Sequence, residues 1–353
     1  MAETENNGSE RATLNAVAFR AGVSPTTASL VLAGKGNKRR ISELTHRRVQ
    51  TAAEELNYVP NLGIRALRGE RTNILSLFST YRNRSRDDLY MNTLSSAIEA
   101  AGGKEGYDIL VHCNFGRSPK EIYQFLSGGL ADGLLLFAPR PQDPLLALLR
   151  KGRLPVVVIN GTQIPDEQFS SVSDDARQGM QSVAEEIIAN GHRRIGMLID
   201  PDPETPDSQK RADYLKLFLG ERGVTVLAEH IYPARERDVD EILDRIQADA
   251  NPPTAIFSWH DRLAYTFISR CEARGIIVPD LIAVAGYDGL HWPARTSQVV
   301  SGARVDFDDL AETAVRLLNQ AILTPEAKPT NLLLPVSLLS GTSMGPHIRN
   351  GAI

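Results

Sequence analysis

The sequence predicts a small all-α domain followed by a larger α/β domain built on parallel sheets, and three observations carry that expectation. The chain has 353 residues, room for roughly two to three domains at about 100 to 200 residues each. Residues 11–69 are basic and hold three short stretches whose apolar residues recur at helical spacing behind capping residues. From residue 73 onward, apolar strand-like runs alternate with helical periodicity.

Composition excludes several classes. Hydrophobic residues make up 42% of the chain and charged residues 23%, ordinary values for a globular protein and unlike a disordered or collagenous one. No apolar run approaches the length of a membrane helix, and Met1-Ala2-Glu3-Thr4-Glu5 is acidic where a secretory signal opens basic and turns apolar. A cytoplasmic, nucleoid-associated location is expected. Cys113 and Cys271 are too few for a disulfide framework and belong to no zinc-ligand pattern, so both read as small buried hydrophobes, with no metal and no cofactor expected. The net charge of -4 hides an asymmetry: residues 11–69 hold ten Lys or Arg against Glu43, Glu54 and Glu55, net +7, which leaves -11 for the remainder. A basic head on an acidic body suits a polyanion partner for the head.

Taken in order, the head reads as three helices. Thr13 can cap the first, Leu14, Val17, Ala18 and Ala21 share one face, and Gly22 ends it. Ser24 can cap a second, with Pro25 at a tolerated first position, running through Leu32 to Gly34. Two short helices across a three-residue glycine turn form the helix-turn-helix motif, whose second helix enters the DNA major groove. A third begins after Ser42 and runs to about Asn57, with Val49, Ala52, Ala53 and Leu56 inward and His46, Arg47 and Arg48 outward.

The run Ala21-Gly22-Val23-Ser24, the second helix Thr27-Ala28-Ser29-Leu30-Val31-Leu32, Ile41-Ser42 and the stretch from Ala52-Ala53-Glu54-Glu55-Leu56 to Asn57-Tyr58-Val59-Pro60-Asn61 resemble the lactose-repressor family of bacterial transcription regulators. The order of motifs matches across nearly the whole chain. Carried over residue by residue, the resemblance puts Pro25 and Thr26 where family members most often read base edges, with Thr27 and Ser29 beside them and the caps Thr13 and Ser24 at the DNA-facing helix ends. Two departures stand out. Leu30 replaces a base-reading arginine common in the family, and the loop Lys35-Gly36-Asn37-Lys38-Arg39-Arg40 is longer and more basic than usual. Lys35, Lys38, Arg39 and Arg40 read as a phosphate clamp, against the alternative of a solvated loop.

Pro60 stops the third helix, and residues 61–67 match the family's hinge helix, which forms on DNA and pushes a leucine into the minor groove. Asn61 opens it and Leu67 is the matching wedge. Gly63 costs an isolated helix about 1 kcal/mol against alanine, so this hinge is expected to fold only with DNA and a partner subunit. The plainer reading is a flexible linker. The expected organisation is a helix-turn-helix domain over 11–60, a hinge over 61–70 and a ligand-binding domain over 71–345.

In that last domain, strand-like runs occupy 74–79, 109–112, 133–137, 156–159, 195–199, 255–259 and 282–287. The resemblance implies two lobes, similar to those of periplasmic sugar-binding proteins, with a ligand between them. They are expected over 71–165 with 293–325, and over 166–292 with 326–345. Ligands of open parallel sheets sit beyond the carboxyl ends of the strands. Asn160, His260 and Asp288 occupy such ends and match effector-facing positions of the family. The basic residue that joins them falls at Lys210 or Arg211. An amide and a carboxylate can each bond adjacent hydroxyls, which is sugar chemistry. His260 reads equally well as a loop tether. Trp259, like Trp292, suits either sugar stacking or core packing. Tyr81 heads a basic loop through Arg86 that is longer than the family's, either solvated or open to an anionic ligand.

Two other functional classes are weighed. Gly341-Thr342-Ser343-Met344-Gly345 matches the GxSxG pattern of hydrolases, but no acid follows it and only His347 does, so no catalytic residue is expected. A sugar-binding transport protein would account for the body but not the basic head. The expectation is therefore a homodimeric, ligand-controlled repressor on a pseudo-palindromic operator, responding to a sugar or, alternatively, to a nucleobase or another metabolite. After residue 340 no apolar heptad suggests a tetramerising coiled coil.

Overall fold

The computed structural model describes residues 12–33, 41–59, 71–79, 88–112, 114, 116–161, 168–202 and 205–347. Lys35, Lys38, Arg39, Arg40, Asn61, Leu67, Tyr81 and Cys113 lie outside the described residues. Contacts divide the chain into two units, Met1–Thr72 and Asn73–Ile353.

In the first unit, α1 (Leu14–Ala21) is capped by Thr13, whose Oγ1 accepts the Ala16 N–H at 3.2 Å. Gly22 ends it at φ 63°, a conformation L-residues rarely adopt, and a Cβ there would also collide with the Arg48 guanidinium. Arg48 donates to the Ala21 carbonyl from α3 (Glu43–Glu55), closing the last turn of α1. Between them lies α2 (Pro25–Leu32). Val17, Ala18, Ala21, Ala28, Val31, Val49, Ala52 and Ala53 form the core, small enough to bring three short helices into contact. Burying a side chain such as Val49 contributes about 1.5–3 kcal/mol, so this core is modest.

The second unit holds two six-stranded sheets. The first runs in the order β11 (Asn331–Leu334), β5 (Ser170–Asp174), β4 (Val156–Ile159), β3 (Gly133–Phe137), β1 (Ile74–Ser79) and β2 (Asp108–His112), with every pair parallel. The second runs β12 (Ser337–Leu339), β10 (Ser301–Arg304), β9 (Ala283–Asp288), β8 (Ala255–Ser258), β6 (Ile195–Ile199) and β7 (Ile231–Pro233). All its pairs are parallel except β12 with β10. Alternate side chains feed opposite faces, as pleating requires. Leu135 and Phe137 enter one core, whereas Leu134 and Leu136 pack under α5 (Pro119–Leu126) and α6 (Pro144–Lys151). On the other face of this sheet lie α4 (Leu89–Lys104) and α11 (Phe307–Leu323). The second sheet is covered by α7 (Ala176–Ala189) and α8 (Pro206–Glu221) on one face, and by α9 (Val239–Ala248) and α10 (Asp261–Ala273) on the other.

The chain crosses between the lobes three times, and each crossing falls about ten residues beyond its expected place. Strand β5 belongs to the first sheet, so the first crossing lies at 174–176 rather than near 165. Strand β10 belongs to the second sheet, which moves the second crossing from 292 to 304–307, and the third lies at 334–337 rather than 325. At the first two crossings the cause is the polarity of the missed strands, whereas β11, before the third, carries the apolar run Leu332-Leu333-Leu334. Ser-Ser-Val-Ser-Asp and Ser-Gly-Ala-Arg carry no apolar run, although β10 is buried at Ser301, Gly302 and Ala303. Their small residues are required by close packing: a Cβ on Gly302 would strike the Gly286 backbone of β9.

The GxSxG segment is part of this packing. Ser343 is fully buried, donates its hydroxyl to the Val284 carbonyl at 2.6 Å and accepts the Ser301 N–H at 2.9 Å. Its oxygen is thereby committed to fastening the C-terminal segment along β9 and β10. Cys271 is also buried, and burial pushes its thiol up to about 12, as expected of a small hydrophobe.

Candidate functional site

At the start of α2, Ser24 Oγ accepts the Thr27 N–H at 3.1 Å and lies 2.9 Å from Thr27 Oγ1. The two hydroxyls cap the helix and partner each other. Pro25 and Thr26, at the first turn, are exposed, and the Thr26 side chain is available to solvent. Ser29 is partly buried and Thr13 caps α1. Of the residues expected to face DNA, Thr13, Ser24, Pro25 and Thr26 are exposed, and the Thr13 and Ser24 side chains also cap helices.

In the second unit a cavity of about 300 Å³ opens between the lobes. From the first lobe it is lined by Tyr90, Phe137 and Asn160, and from the second by Arg211, Trp259, His260, Asp288 and Trp292 together with several acids. Five of the seven residues expected at an effector site, Asn160, Arg211, Trp259, His260 and Asp288, therefore meet on one cavity. Lys210 does not line it. Its Nζ lies 5.9 Å from the Tyr214 ring, and burial lowers its pKa.

Each side chain is placed by its element. Asn160 follows β4 at φ 53°, a left-handed conformation that asparagine tolerates. Its Nδ2 donates to the Tyr90 hydroxyl at 2.7 Å, while Oδ1 is buried without a partner. Whichever way the amide is turned, one of its two polar atoms has no partner. Tyr90, in the first turn of α4, packs edge-on against Phe307 with ring centres 4.9 Å apart. Burial, then the charges of Asp174 and Asp288, holds its hydroxyl well above the usual phenol range.

Arg211 projects from α8. Its Nη1 donates to the Trp259 carbonyl at 2.7 Å and lies 3.3 Å from Asp288 Oδ1, and its guanidinium stacks 3.6 Å from the centre of the Tyr287 ring. Burial opposes its charge, but Asp288, Tyr287 and Asp174 outweigh that effect and keep it protonated. Its Nε is buried without a partner. Asp288 ends β9 at φ 110°, strained for any L-residue, with Gly289 continuing at φ 75°. Burial raises the Asp288 carboxyl, partly offset by Arg211, and burial with the nearby Asp288 charge raises Asp261. Asp261 Oδ2 accepts the Leu290 N–H at 2.6 Å, tying the loop after β9 to the start of α10.

His260 caps α10, its Nδ1 accepting the Leu263 N–H at 3.1 Å. Burial and the charges of Arg211 and Arg262 push its pKa down to about 3. The ring is therefore neutral, and since Nδ1 accepts, the proton sits on Nε2, the ring's only donor. Both readings of His260 coexist: it tethers a loop and lines the cavity. Trp259 crosses the His260 ring edge-on at 4.2 Å, and Arg262 lies 5.2 Å from the Trp292 ring centre and 2.8 Å from Glu236.

Asp261, which follows the same strand as His260, also lines the cavity, whereas sequence reasoning missed Tyr90, Phe137 and Asp207. Phe137 lies at the end of β3, so the strand-end rule applied to every strand would have found it. Asp207 sits one helical turn before Arg211 and needed the correct register. Tyr90 carried no such signal. Among the described residues, no group of three or more His, Cys, Asp or Glu could hold a metal ion, and no helix is long and apolar enough to cross a membrane.

Comparison with known proteins gives two family matches, residues 13–61 to the bacterial regulatory proteins of the lacI family and residues 184–344 to a periplasmic binding protein-like domain. Among curated relatives, the probable HTH-type transcriptional repressor ExuR of Bacillus subtilis is 25% identical, over 91% of this chain and 95% of that one. The HTH-type transcriptional repressor PurR of Mannheimia succiniciproducens is 29% identical, over 90% of this chain and 94% of its own length. Among solved structures, the lac repressor dimer bound to operator and the anti-inducer ONPF superposes with a TM-score of 0.80 at 23% identity, covering 95% of this chain and 99% of that one. A complex of the transcriptional regulator CelR with cellobiose gives 0.68 at 24% identity, covering 94% and 100%. These two likenesses are of fold.

Proposed function

We propose that the chain is a DNA-binding transcriptional regulator of the lacI type, a homodimeric repressor whose operator affinity is set by a sugar-like effector held between the two lobes of its second unit. The observation that carries the reading is the pair of unsatisfied groups on the cavity, one amide atom of Asn160 and the Arg211 Nε. A buried polar atom without a partner costs about 1–3 kcal/mol, so both favour an occupant that completes them. A hydroxyl can donate to an amide oxygen and accept from a guanidinium N–H, and aromatic walls at Tyr90, Phe137, Trp259 and Trp292 suit the apolar faces of a sugar ring. The cellobiose of the CelR complex is a ligand of that chemistry. The purine alternative keeps one support, the density of aromatic rings.

On the DNA side, Pro25 and Thr26 read base edges, with Thr27 and Ser29 adjacent and Thr13 and Ser24 at the helix ends. Lys35, Lys38, Arg39 and Arg40 bind phosphates, and the hinge from Asn61 wedges Leu67 into the minor groove. Two heads per dimer meet a pseudo-palindromic operator inside the cell. The effector acts by preferring one lobe arrangement, which biases the hinges. The domain limits that fit this reading are 11–60, 61–70 and 71–345. The test is to select operator sequences from genomic DNA with the full chain, then measure their affinity by anisotropy with and without cellobiose, simple hexoses and purines. Selective, saturable modulation by a sugar supports the reading, and modulation by a purine alone overturns its sugar part.

A further inference from the structure

The charges that line the cleft point to the class of effector it accepts. Two guanidiniums line it, Arg211 and Arg262, and each is already engaged. Arg211 faces Asp288 at 3.3 Å and the Trp259 carbonyl at 2.7 Å, and Arg262 faces Glu236 at 2.8 Å and lies against the Trp292 ring. Three further carboxyls line the same cavity: Asp88, Asp207 and Asp261. Asp88 and Asp261 are occupied by backbone donors, at Met91 and Leu290 respectively. Asp207, partly buried in the first turn of α8, has no hydrogen-bond or ion-pair partner within 4 Å among the described residues. The lining offers an anion the Arg211 Nε–H and the His260 Nε2–H, but both of its guanidiniums already face a carboxylate.

We propose that the cleft selects a non-anionic, donor-rich ligand, a neutral or amino sugar, and that Asp207 is the specificity-determining residue that binds its hydroxyls or ammonium and rejects carboxylate and phosphate counterparts. This rests on reading the cleft as the effector site. A carboxylate accepts from two vicinal hydroxyls or from an ammonium, so Asp207 complements either. Against an anion it acts when ionised, a form that the nearby Arg211 charge supports against burial: it repels the ligand across a low-dielectric cavity, where like charges interact far more strongly than in water. The unpartnered Asn160 amide atom, on a residue about nine-tenths buried, is the independent sign that this cavity awaits a ligand. Asp207 and Arg211, one helical turn apart, act from the second lobe, and Asn160 acts from the first.

The test uses matched ligand series on the full chain, followed by calorimetry and by the shift of melting temperature. One series is glucose, glucosamine, glucuronate and glucose 6-phosphate. The second is galactose, galactosamine and galacturonate, and the third is cellobiose with cellobionate. The expected result is binding by a neutral or amino member at least tenfold tighter than by its anionic counterpart. A tenfold advantage of the amino form over the neutral one assigns an ammonium, and near equality assigns hydroxyls. Asp207→Asn should narrow the gap between the neutral and anionic forms, and Asp207→Ser provides a second variant should the first fail to fold. An anionic member binding as tightly as its neutral parent would overturn the proposal, as would silence from every neutral and amino member. The regulatory reading fails separately: a sugar that binds yet leaves operator affinity unchanged sinks the regulation and spares the selectivity, whereas a uronate that releases operator does the reverse.

Discussion

The Tyr287 hydroxyl donates to Asp174 Oδ2 at 2.5 Å, joining the penultimate residue of β9 in one lobe to the last residue of β5 in the other. Tyr287 is fully buried, and the opposite use of its side chain is the ring face on which Arg211 lies. One residue thus touches both the cleft's guanidinium and the first crossing between the lobes. A ligand drawing on Arg211 would act directly beside an interlobe hydrogen bond, a physical route for the proposed coupling between cleft and lobe orientation.

Tyr287→Phe removes that bond and keeps the ring under Arg211. Loss of a hydrogen bond to a buried carboxylate costs about 1–3 kcal/mol, so the urea midpoint of the variant should fall. Ligand affinity should change less than the effect of ligand on operator binding. A variant with wild-type stability and wild-type response would show that the bond is incidental.

His260 makes acid destabilising. Its folded pKa of about 3 lies below the ordinary 6.5, so between those values the unfolded chain binds the extra proton. Stability is fully present above about pH 6.5 and falls as pH drops towards 3, by up to about 1.4 kcal/mol per pH unit from this one group. His260→Asn keeps a good capping side chain on α10 and removes the titration. Denaturation between pH 6.5 and 4 should show a shallower loss in the variant, and identical slopes would contradict the assignment.

Ser343→Ala tests whether the GxSxG segment is structural. The substitution orphans the Val284 carbonyl and the Ser301 N–H, both buried, and should lower unfolding free energy by about 1–3 kcal/mol. Ligand affinity of the folded variant should stay within about twofold. Esterase activity in the wild type that disappears in the variant would reopen the hydrolase reading.

Ser24→Ala and Thr26→Ala should separate capping from DNA contact. Loss of the Ser24 cap costs α2 about 1 kcal/mol, visible in the melting of the first unit. Thr26 is exposed, so its truncation should leave melting nearly unchanged and weaken operator binding. If Thr26→Ala binds operator as well as wild type, base reading falls to Pro25 and its other neighbours.

Much of this was legible in the sequence because the relevant signals are local. Caps at Thr13, Ser24 and Ser42 fix the helices described in the head, and seven apolar runs mark seven of the twelve strands among the described residues. The remaining strands are polar, short or rich in small residues, since β5 and β10 are held by close packing near the crossings rather than by large apolar side chains. That is why the first two crossings were expected some ten residues early. Within the cleft, polar residues at strand ends could be read, and Arg211 was separated from Lys210 only by helical phase. The aromatic Tyr90 and the unpartnered Asp207 come from helix starts, where a sequence gives no direction to the side chain.

The central claim is that cleft and operator are thermodynamically linked. Thermodynamics requires that a ligand which changes operator affinity by some factor has its own affinity changed by operator by the same factor. The decisive measurement is paired: calorimetric titration of the tightest-binding sugar into full chain, free and saturated with its selected operator duplex, beside operator anisotropy with and without that sugar. The account predicts equal factors of at least fivefold from both directions, abolished in Asp288→Asn while operator affinity without ligand stays within about twofold. Sugar binding of one strength with and without operator would contradict it.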